Sequence, residues 1–414
     1  MKKLFRRVAG LDVHKDSVTA CVRIARRGDD PEEHIATFGA TSTQLLALRD
    51  WLASFEVTLV VMEATGVYWK PVYYVLEDEV ECWVVNARHF RNVPGRKTDV
   101  KDSQWLAELA QHGLVRPSFV PPKEIRELRD LTRYRKTQIQ ERTREAQRLD
   151  KVLQDAGIKL SSVASRTLGA SGRAMLDALV QGTRDPEVLA DLAKGHLRKK
   201  LPALREALQG RFSPRHALMV GTILSHIDYL DEAIEHLSKE IGEAVSPFAE
   251  KIELVKTIPG VDDKTAQSII AEIGPDMSRF PTHRHLASWA GMCPGNDESA
   301  GKRRSGKTRK GSKWLRDTLV QAAHAAARTK NTYLAAQYAR LRGRRGSKRA
   351  AVAVGHSILV SVYYILSREV PYEELGPDHF RLEQDRERQI HRLVKQLTRL
   401  GQIVTVEPAE VVPA

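Results

Sequence analysis

The run TLVVMEA, residues 58–64, constrains the fold of this chain more than any other stretch. Leu59 to Met62 are four apolar side chains in succession, so both faces of such a strand need cover. That is the pattern of a central strand in an α/β sheet. The surrounding pattern supplies its neighbours. VAGLDV (8–13) and SVTACVRI (17–24) read as a hairpin pair, with a third strand near HIATF (34–38). A helix over 43–54 leads into the central run, and a short helix near 69–78 precedes ECWVVNA (81–87), a second buried strand. A helix over Asp99–His112 closes the series. Three strands, then helix, strand, helix, strand and helix, form the order of a ribonuclease H-like α/β domain, predicted over residues 1–115.

Acidic residues interrupt these elements where propensity disfavours them. Asp12 breaks the apolar strand GLDV and Glu63 ends VVMEA; both are poor strand residues, costly to bury unless paired or metal-bound. In GRKTDVKDSQWLAELA (95–110), Asp99 and Asp102 stand three apart at the start of a helix pattern. One acid there is an ordinary cap, and a cap plus a solvated neighbour is the plain reading of an isolated D-x-x-D. Two on one face repel unless a cation lies between them. In a ribonuclease H-like sheet the first strand lies beside the central one, so Asp12, Glu63, Asp99 and Asp102 are expected at one sheet edge. Four such carboxylates suit two Mg²⁺ ions, with Mn²⁺ as a substitute, in phosphoryl transfer.

Beyond the joint RPSFVPP (116–122), the chain turns helical. Residues 116–250 are predicted as a helical coiled-coil region. One long charged helix starts at Lys123; in a second, Val220, Ile227, Ile234 and Ile241 alternate with Ile223, Leu230, Leu237 and Ala244 at heptad spacing. Self-association and an intramolecular antiparallel hairpin both satisfy that pattern. After VSPFAEK (245–251), residues 251–370 form a third, basic and mostly helical region. Residues 371–414 comprise a charged helix, expected over about 378–400, and a polar tail expected to be disordered.

The net charge of +14 and pI near 9.6 point to a polyanionic partner, most simply nucleic acid. Cys21, Cys82 and Cys293 are widely spaced with no C-x-x-C pair, which argues against a disulfide framework or structural zinc. The basic start is followed by only a short apolar run, and no apolar run is expected to reach the length of a membrane span. The expectation is a cytoplasmic protein.

Two stretches of the third region suit phosphates. TIPGVDDKTAQSIIAEIG (257–274) reads as a helix-hairpin-helix, whose turn at Pro259, Gly260 and Val261 would offer backbone N–H groups to nucleic acid. A purely structural P-G turn is the alternative. In AGMCPGNDESAGKRRSGKTRKGSKWLR (290–316), Ser299 precedes Lys302, Arg303, Arg304, Lys307, Arg309, Lys310 and Lys313. The loop has cations but no base to activate a hydroxyl, so its residues alone favour a phosphate-binding loop with an inert serine. His283 and His285 lack a fourth ligand at sensible spacing and read as surface or phosphate-contacting residues.

GLDVHKDSV, VVMEATGVYW, the K-T-D-x-x-D stretch, IPGV…A…I…IG and AGMCPGNDESAGKRRSGKTRKGS together resemble the transposases of the insertion-sequence 110 family. The similarity runs in order over nearly the whole chain before about residue 370. It implies a RuvC-like domain whose DEDD set is Asp12, Glu63, Asp99 and Asp102, and a coiled coil used in a homo-oligomer, dimer or tetramer. It also implies a C-terminal transposase domain in which Ser299 is the nucleophile on DNA, activated through the carboxylate-bound metal. A noncoding guide RNA, the bridge RNA, belongs to the same implication. Ser312 departs from the family's usual Asn. Two other functions fit the residues: a metal-dependent junction-resolving endonuclease without a serine intermediate, and a non-catalytic structure-specific DNA-binding protein.

Overall fold

The computed structural model describes residues 4–26, 30–86, 102–294, 297–299, 302–308, 310–401 and 403–405, with only the backbone path described at 297–299, 302–305 and 382–387. The chain forms two compact units, Met1–Val120 and Pro121–Ala414.

The first unit is a five-stranded sheet. Its strands are β1 (Arg7–Val13), β2 (Ser17–Ile24), β3 (Glu32–Gly39), β4 (Leu59–Glu63) and β5 (Glu81–Val85), in the order β3-β2-β1-β4-β5. The three leading strands pair antiparallel; β4 joins β1, and β5 joins β4, in parallel. This mixed sheet is consistent with a ribonuclease H-like domain. Helices α1 (Ser42–Ser54) and α2 (Trp69–Leu76) make the crossovers that parallel pairing requires. Alternation sorts the side chains into two layers. Ala9, Leu11, Val13, Val60, Met62 and Val84 pack with Leu45, Leu48 and Leu52 of α1 and Val72 and Leu76 of α2. Val8, Leu59, Val61 and Val85 pack with Leu106, Ala107, Leu109 and Ala110 of α3 (Asp102–Gln111). The apolar run 59–62 is therefore buried on both faces, as its composition requires.

The second unit is mostly helical. Helices α4 (Lys123–Asp155), α5 (Leu160–Val163), α6 (Ala170–Val180), α7 (Pro186–Asp191), α8 (Leu201–Ala207) and α9 (Pro214–Ala244) come first. Then follow α10 (Ala249–Lys256), α11 (Asp263–Ile273), α12 (His283–Trp289), strands β6 (Asp297–Ser299) and β7 (Lys302–Ser305), α13 (Lys313–Ala326), α14 (Tyr333–Arg345), α15 (Ser347–Arg368) and α16 (His379–Arg399). The apolar stripe of α9 packs on α4 of its own chain. Arg215 meets Asp155 while Asp231 meets Arg142, so the two helices run antiparallel. Val220, Ile227, Leu230 and Ile241 are buried, whereas Ile223, Ile234, Leu237 and Ala244 stay half-buried. Between α4 and α9 lies a small helical module with its own core, including Leu153, Ile158, Leu160, Met175, Leu179, Leu189, Leu204 and Leu208.

One expectation needs correction. Helix α15 is long and apolar enough, with a mean hydropathy of 1.7, to match a membrane span by composition. Half of its most apolar window is buried inside the unit. Ala350, Val354, Ile358, Leu359 and Val362 have no exposure beyond traces, and a Cβ at Gly355 would come within 3.1 Å of the Leu319 carbonyl of α13. A helix surrounded by other helices becomes apolar for the same reason as a membrane helix. The charged helix appears as α16, while most of the tail lies outside the described residues.

Candidate active site

The carboxylate edge begins with strand alternation. Val8 belongs to the α3 layer and Ala9, Leu11 and Val13 to the opposite one, so Gly10 and Asp12 fall on the α3 side. By the same rule Leu59, Val61 and Glu63 share that side. Leu11 stands opposite Met62 in the parallel register, which places Asp12 and Glu63 at the ends of neighbouring strands. Helix α3 brings in the third acid, Asp102, as its first residue. Its seat is Gly10: a Cβ there would lie 2.1 Å from the Ser103 carbonyl oxygen and 2.6 Å from the Ala107 nitrogen. Only glycine allows a helix backbone to lie this close to the strand. Asp99 lies outside the described residues.

Asp12 is accessible, its side chain 26% exposed, and its Oδ2 lies 3.1 Å from Nε2 of His14. No group of three His, Cys, Asp or Glu side chains positioned for a metal occurs among the described residues. Oxygen donors from two strand ends and a helix start nevertheless match the chemistry of a hard divalent cation. Thiols do not compete there. Burial pushes both Cys21 and Cys82 up to about 12, leaving them protonated at neutral pH.

Ser299 is placed differently. The glycine-rich stretch folds into a β-hairpin, with Ser299 ending β6 opposite Lys302 on β7 and a bulge between Asp297 and Glu298. A further bridge joins Pro294 to Thr308 nearer the base. The base itself is pinched shut, because a Cβ on Gly311 would lie 2.3 Å from the Gly291 nitrogen. Just beyond, Ser312 caps α13 by accepting the Leu315 N–H at 3.3 Å, and its hydroxyl donates to Glu272 at 2.9 Å. Glu272, on α11, is 2% exposed and takes two hydrogen bonds from Arg133 of α4, at 2.7 and 2.9 Å. Arg129 donates to the backbone carbonyls of Ala271 and Glu272; burial lowers it to about 10, so it stays charged at neutral pH. Lys136 donates to the Trp314 carbonyl and to Thr318. A buried polar network thus ties the long helix and α11 to the end of the hairpin segment. The serine at 312, where the resembled family has Asn, serves as a cap.

The turn between α10 and α11 is more structural than a free phosphate cradle. Gly260 has φ +87°, and a Cβ there would lie 2.4 Å from the Ala326 nitrogen at the end of α13. The Val261 N–H donates to Ile258, and the Asp262 carboxylate caps α11 by accepting from Thr265 at 2.9 Å. Pro259 has no N–H to offer. On the basic run, Lys302, Arg303 and Arg304 belong to β7; Lys307, Lys310 and Lys313 are exposed; Arg309 lies outside the described residues. His283 pairs with the Tyr364 hydroxyl at 3.1 Å and His285 with Thr282 at 2.9 Å.

Sequence reasoning missed Gly10, Gly311, Arg133 and Glu272. A glycine inside a strand pattern signals close backbone approach, so Gly10 was findable. Nothing local to Glu272 announces its partners Arg133 and Ser312, 139 and 40 residues away in the chain.

Comparison with known proteins converges on one group. Residues 9–158 match the IS110-type DEDD family described as transposase, and residues 252–339 match the transposase family IS116/IS110/IS902. The transposase for insertion sequence element IS1111A of Coxiella burnetii is 26% identical over 379 residues, 88% of this chain and 91% of that protein. A mini-circle IS117 protein of Streptomyces coelicolor is 30% identical over 108 residues, 26% of this chain and 24% of that one.

Proposed function

Because the chain belongs to the IS110 family of transposases, a DNA-processing enzyme encoded by an insertion sequence, we propose that it cuts and rejoins DNA with a serine nucleophile and a carboxylate-held divalent metal, guided by a noncoding RNA. Asp12, Glu63, Asp99 and Asp102 would hold the metal, Mg²⁺ or Mn²⁺. When bound, such ions offset charge on the scissile phosphate and make a hydroxyl more acidic. The Ser299 oxygen attacks phosphorus; the new Oγ–P bond replaces the bond to the departing DNA oxygen, which takes up the proton. Rejoining is the reverse, with a DNA hydroxyl displacing the serine. The phosphoester count is conserved, so no external energy source is required. Lys302, Arg303, Arg304, Lys307, Arg309, Lys310 and Lys313 hold phosphates, and guide RNA and oligomeric assembly complete the reading.

The observation that carries this reading is the common face of Asp12 and Glu63, with the helix that begins at Asp102 seated on Gly10. Asp12 and Glu63 share one sheet face near the ends of adjacent strands, and Asp102 opens the helix seated on that face. Asp12→Asn, Glu63→Gln, Asp99→Asn and Asp102→Asn should each abolish strand cleavage while the protein remains folded by circular dichroism. Wild-type cleavage rates in Mg²⁺ by these single variants would remove the metal site.

A further inference from the structure

The helical module between α4 and α9 contributes neither the carboxylates nor the serine, and nearly all of it falls between the two segments that match the transposase families. Its surface carries an uneven charge distribution. The sequence GHLRKK (195–200) forms a 3-10 turn that buries none of its residues. Leu197 and Leu201 pack against the module core, leaving Arg198, Lys199 and Lys200 exposed on a fixed backbone. Two hydrogen bonds tie this turn to its surroundings. The Lys194 N–H donates to the Ser171 hydroxyl at 2.9 Å, and the Lys200 ammonium donates to the Val163 carbonyl at 3.2 Å. The second bond draws in α5, flanked by exposed Lys159 and Arg166.

Several arginines elsewhere on this antiparallel pair and its module are matched to acids. Arg142 pairs with Asp231, Arg173 with Asp177 and Asp228, and Arg215 with Asp155. Among the described residues, none of Lys159, Arg166, Lys194, Arg198, Lys199 and Lys200 has a carboxylate partner. Six unmatched cations on a rigid scaffold produce a positive field that a polyanion relieves. The kind of polyanion follows from what is missing. No Phe, Tyr or Trp occurs between Tyr134 and Phe212, and Phe212 is buried in the module core, so apart from the ring of His196 the module exposes no aromatic platform on which unpaired bases would stack. Long cations without aromatics suit the regular phosphate rows of a duplex.

We propose that this basic face grips the phosphate backbone of duplex DNA, a second DNA-binding surface beyond the basic run around the serine hairpin. It rests on DNA as the partner but not on Ser299 as the nucleophile. The test uses the full chain and a 40-bp DNA duplex of arbitrary sequence, with affinity read by fluorescence anisotropy across a salt series. The variant Lys194→Ala/Arg198→Ala/Lys199→Ala/Lys200→Ala should bind more weakly. Its slope of log affinity against log salt should shrink by about 0.9 for each phosphate that is no longer neutralised, about 3.6 if all four side chains act. The charge-preserving variant Lys194→Arg/Arg198→Lys/Lys199→Arg/Lys200→Arg should keep the wild-type slope. If the alanine variant fails to fold by circular dichroism, Lys159→Gln/Arg166→Gln replaces it, with a smaller decrease in slope expected. An unchanged slope on DNA overturns the proposal. So does an equal decrease in the charge-preserving variant, or a decrease confined to a duplex RNA of the same length. Because the assay reads binding alone, an inert Ser299 leaves its outcome untouched.

Discussion

The acids and the serine are held by different physical means. Asp12 and Glu63 sit near the ends of strands whose apolar side chains are buried, so period-2 alternation and parallel register position them. Ser299 ends a three-residue strand, and the segment's fixity comes from its base: Gly311 pressed on Gly291, then Ser312, Glu272 and Arg133. An apolar scaffold tolerates local change because its energy is spread over many small attractions. A polar network concentrates it in a few bonds, and loss of one member leaves the others buried and unmatched. The hairpin should therefore be the more fragile of the two.

The largest effect that would break this contrast is expected at Glu272. Glu272→Ala removes the partner of Arg133 and of Ser312, at a cost of about 3 kcal/mol, the lower end for a broken buried pair because Arg133 is 31% exposed. Denaturant unfolding checks it; a loss below about 1 kcal/mol would show that the network does not hold the hairpin base. Next come the two close-packed glycines. Gly10→Ala and Gly311→Ala each place a Cβ against backbone, at 2.1 Å from the Ser103 oxygen and 2.3 Å from the Gly291 nitrogen, so each should cost about 2 kcal/mol. They sharpen the comparison through activity. Gly10→Ala should lower cleavage by displacing Asp102 from the strand acids, and excess Mg²⁺ should restore part of it. Added metal should do nothing for Gly311→Ala.

A smaller effect belongs to Ser312. Ser312→Ala should cost about 1 kcal/mol through the lost cap on α13, whereas Ser312→Asn, another good cap, should stay within a few tenths. Thermal melts separate the two variants. The smallest effect concerns the helical module. The Arg173 hydrogen bond holds Asp228 below the ordinary aspartate value of 3.8. A depressed carboxylate adds stability above about pH 4 that disappears as pH falls through its lowered folded value. Melting temperatures of wild type and Asp228→Asn should therefore differ at pH 7 and converge on strong acidification.

How much was readable follows the same division. The strand order, the α3 helix and the places of Asp12, Glu63 and Asp102 followed from apolar runs and from acids that interrupt them. The antiparallel packing of α9 on α4 was one of two readings of a heptad stripe, since the stripe specifies an apolar partner but not whose chain supplies it. Helices α5 to α8 escaped notice because helices of four to eleven residues span too few turns to show a clear period. The hairpin around Ser299 escaped too, since glycine and lysine carry no strand propensity. The Arg133–Glu272–Ser312 network joins residues far apart in the chain, and no local pattern encodes such a meeting.

The central claim is that Ser299 becomes covalently joined to DNA during a reaction that needs the carboxylate-held metal. Wild-type protein, incubated with element-end DNA, guide RNA and Mg²⁺, then denatured in mid-reaction and digested, should yield a peptide containing Ser299 linked to nucleotide. Ser299→Ala should bind DNA with unchanged affinity, form no adduct and cut no strand. Cleavage at the wild-type rate by Ser299→Ala, with no nucleotide-bearing peptide from the wild type, would contradict the account and leave a hydrolytic nuclease in its place.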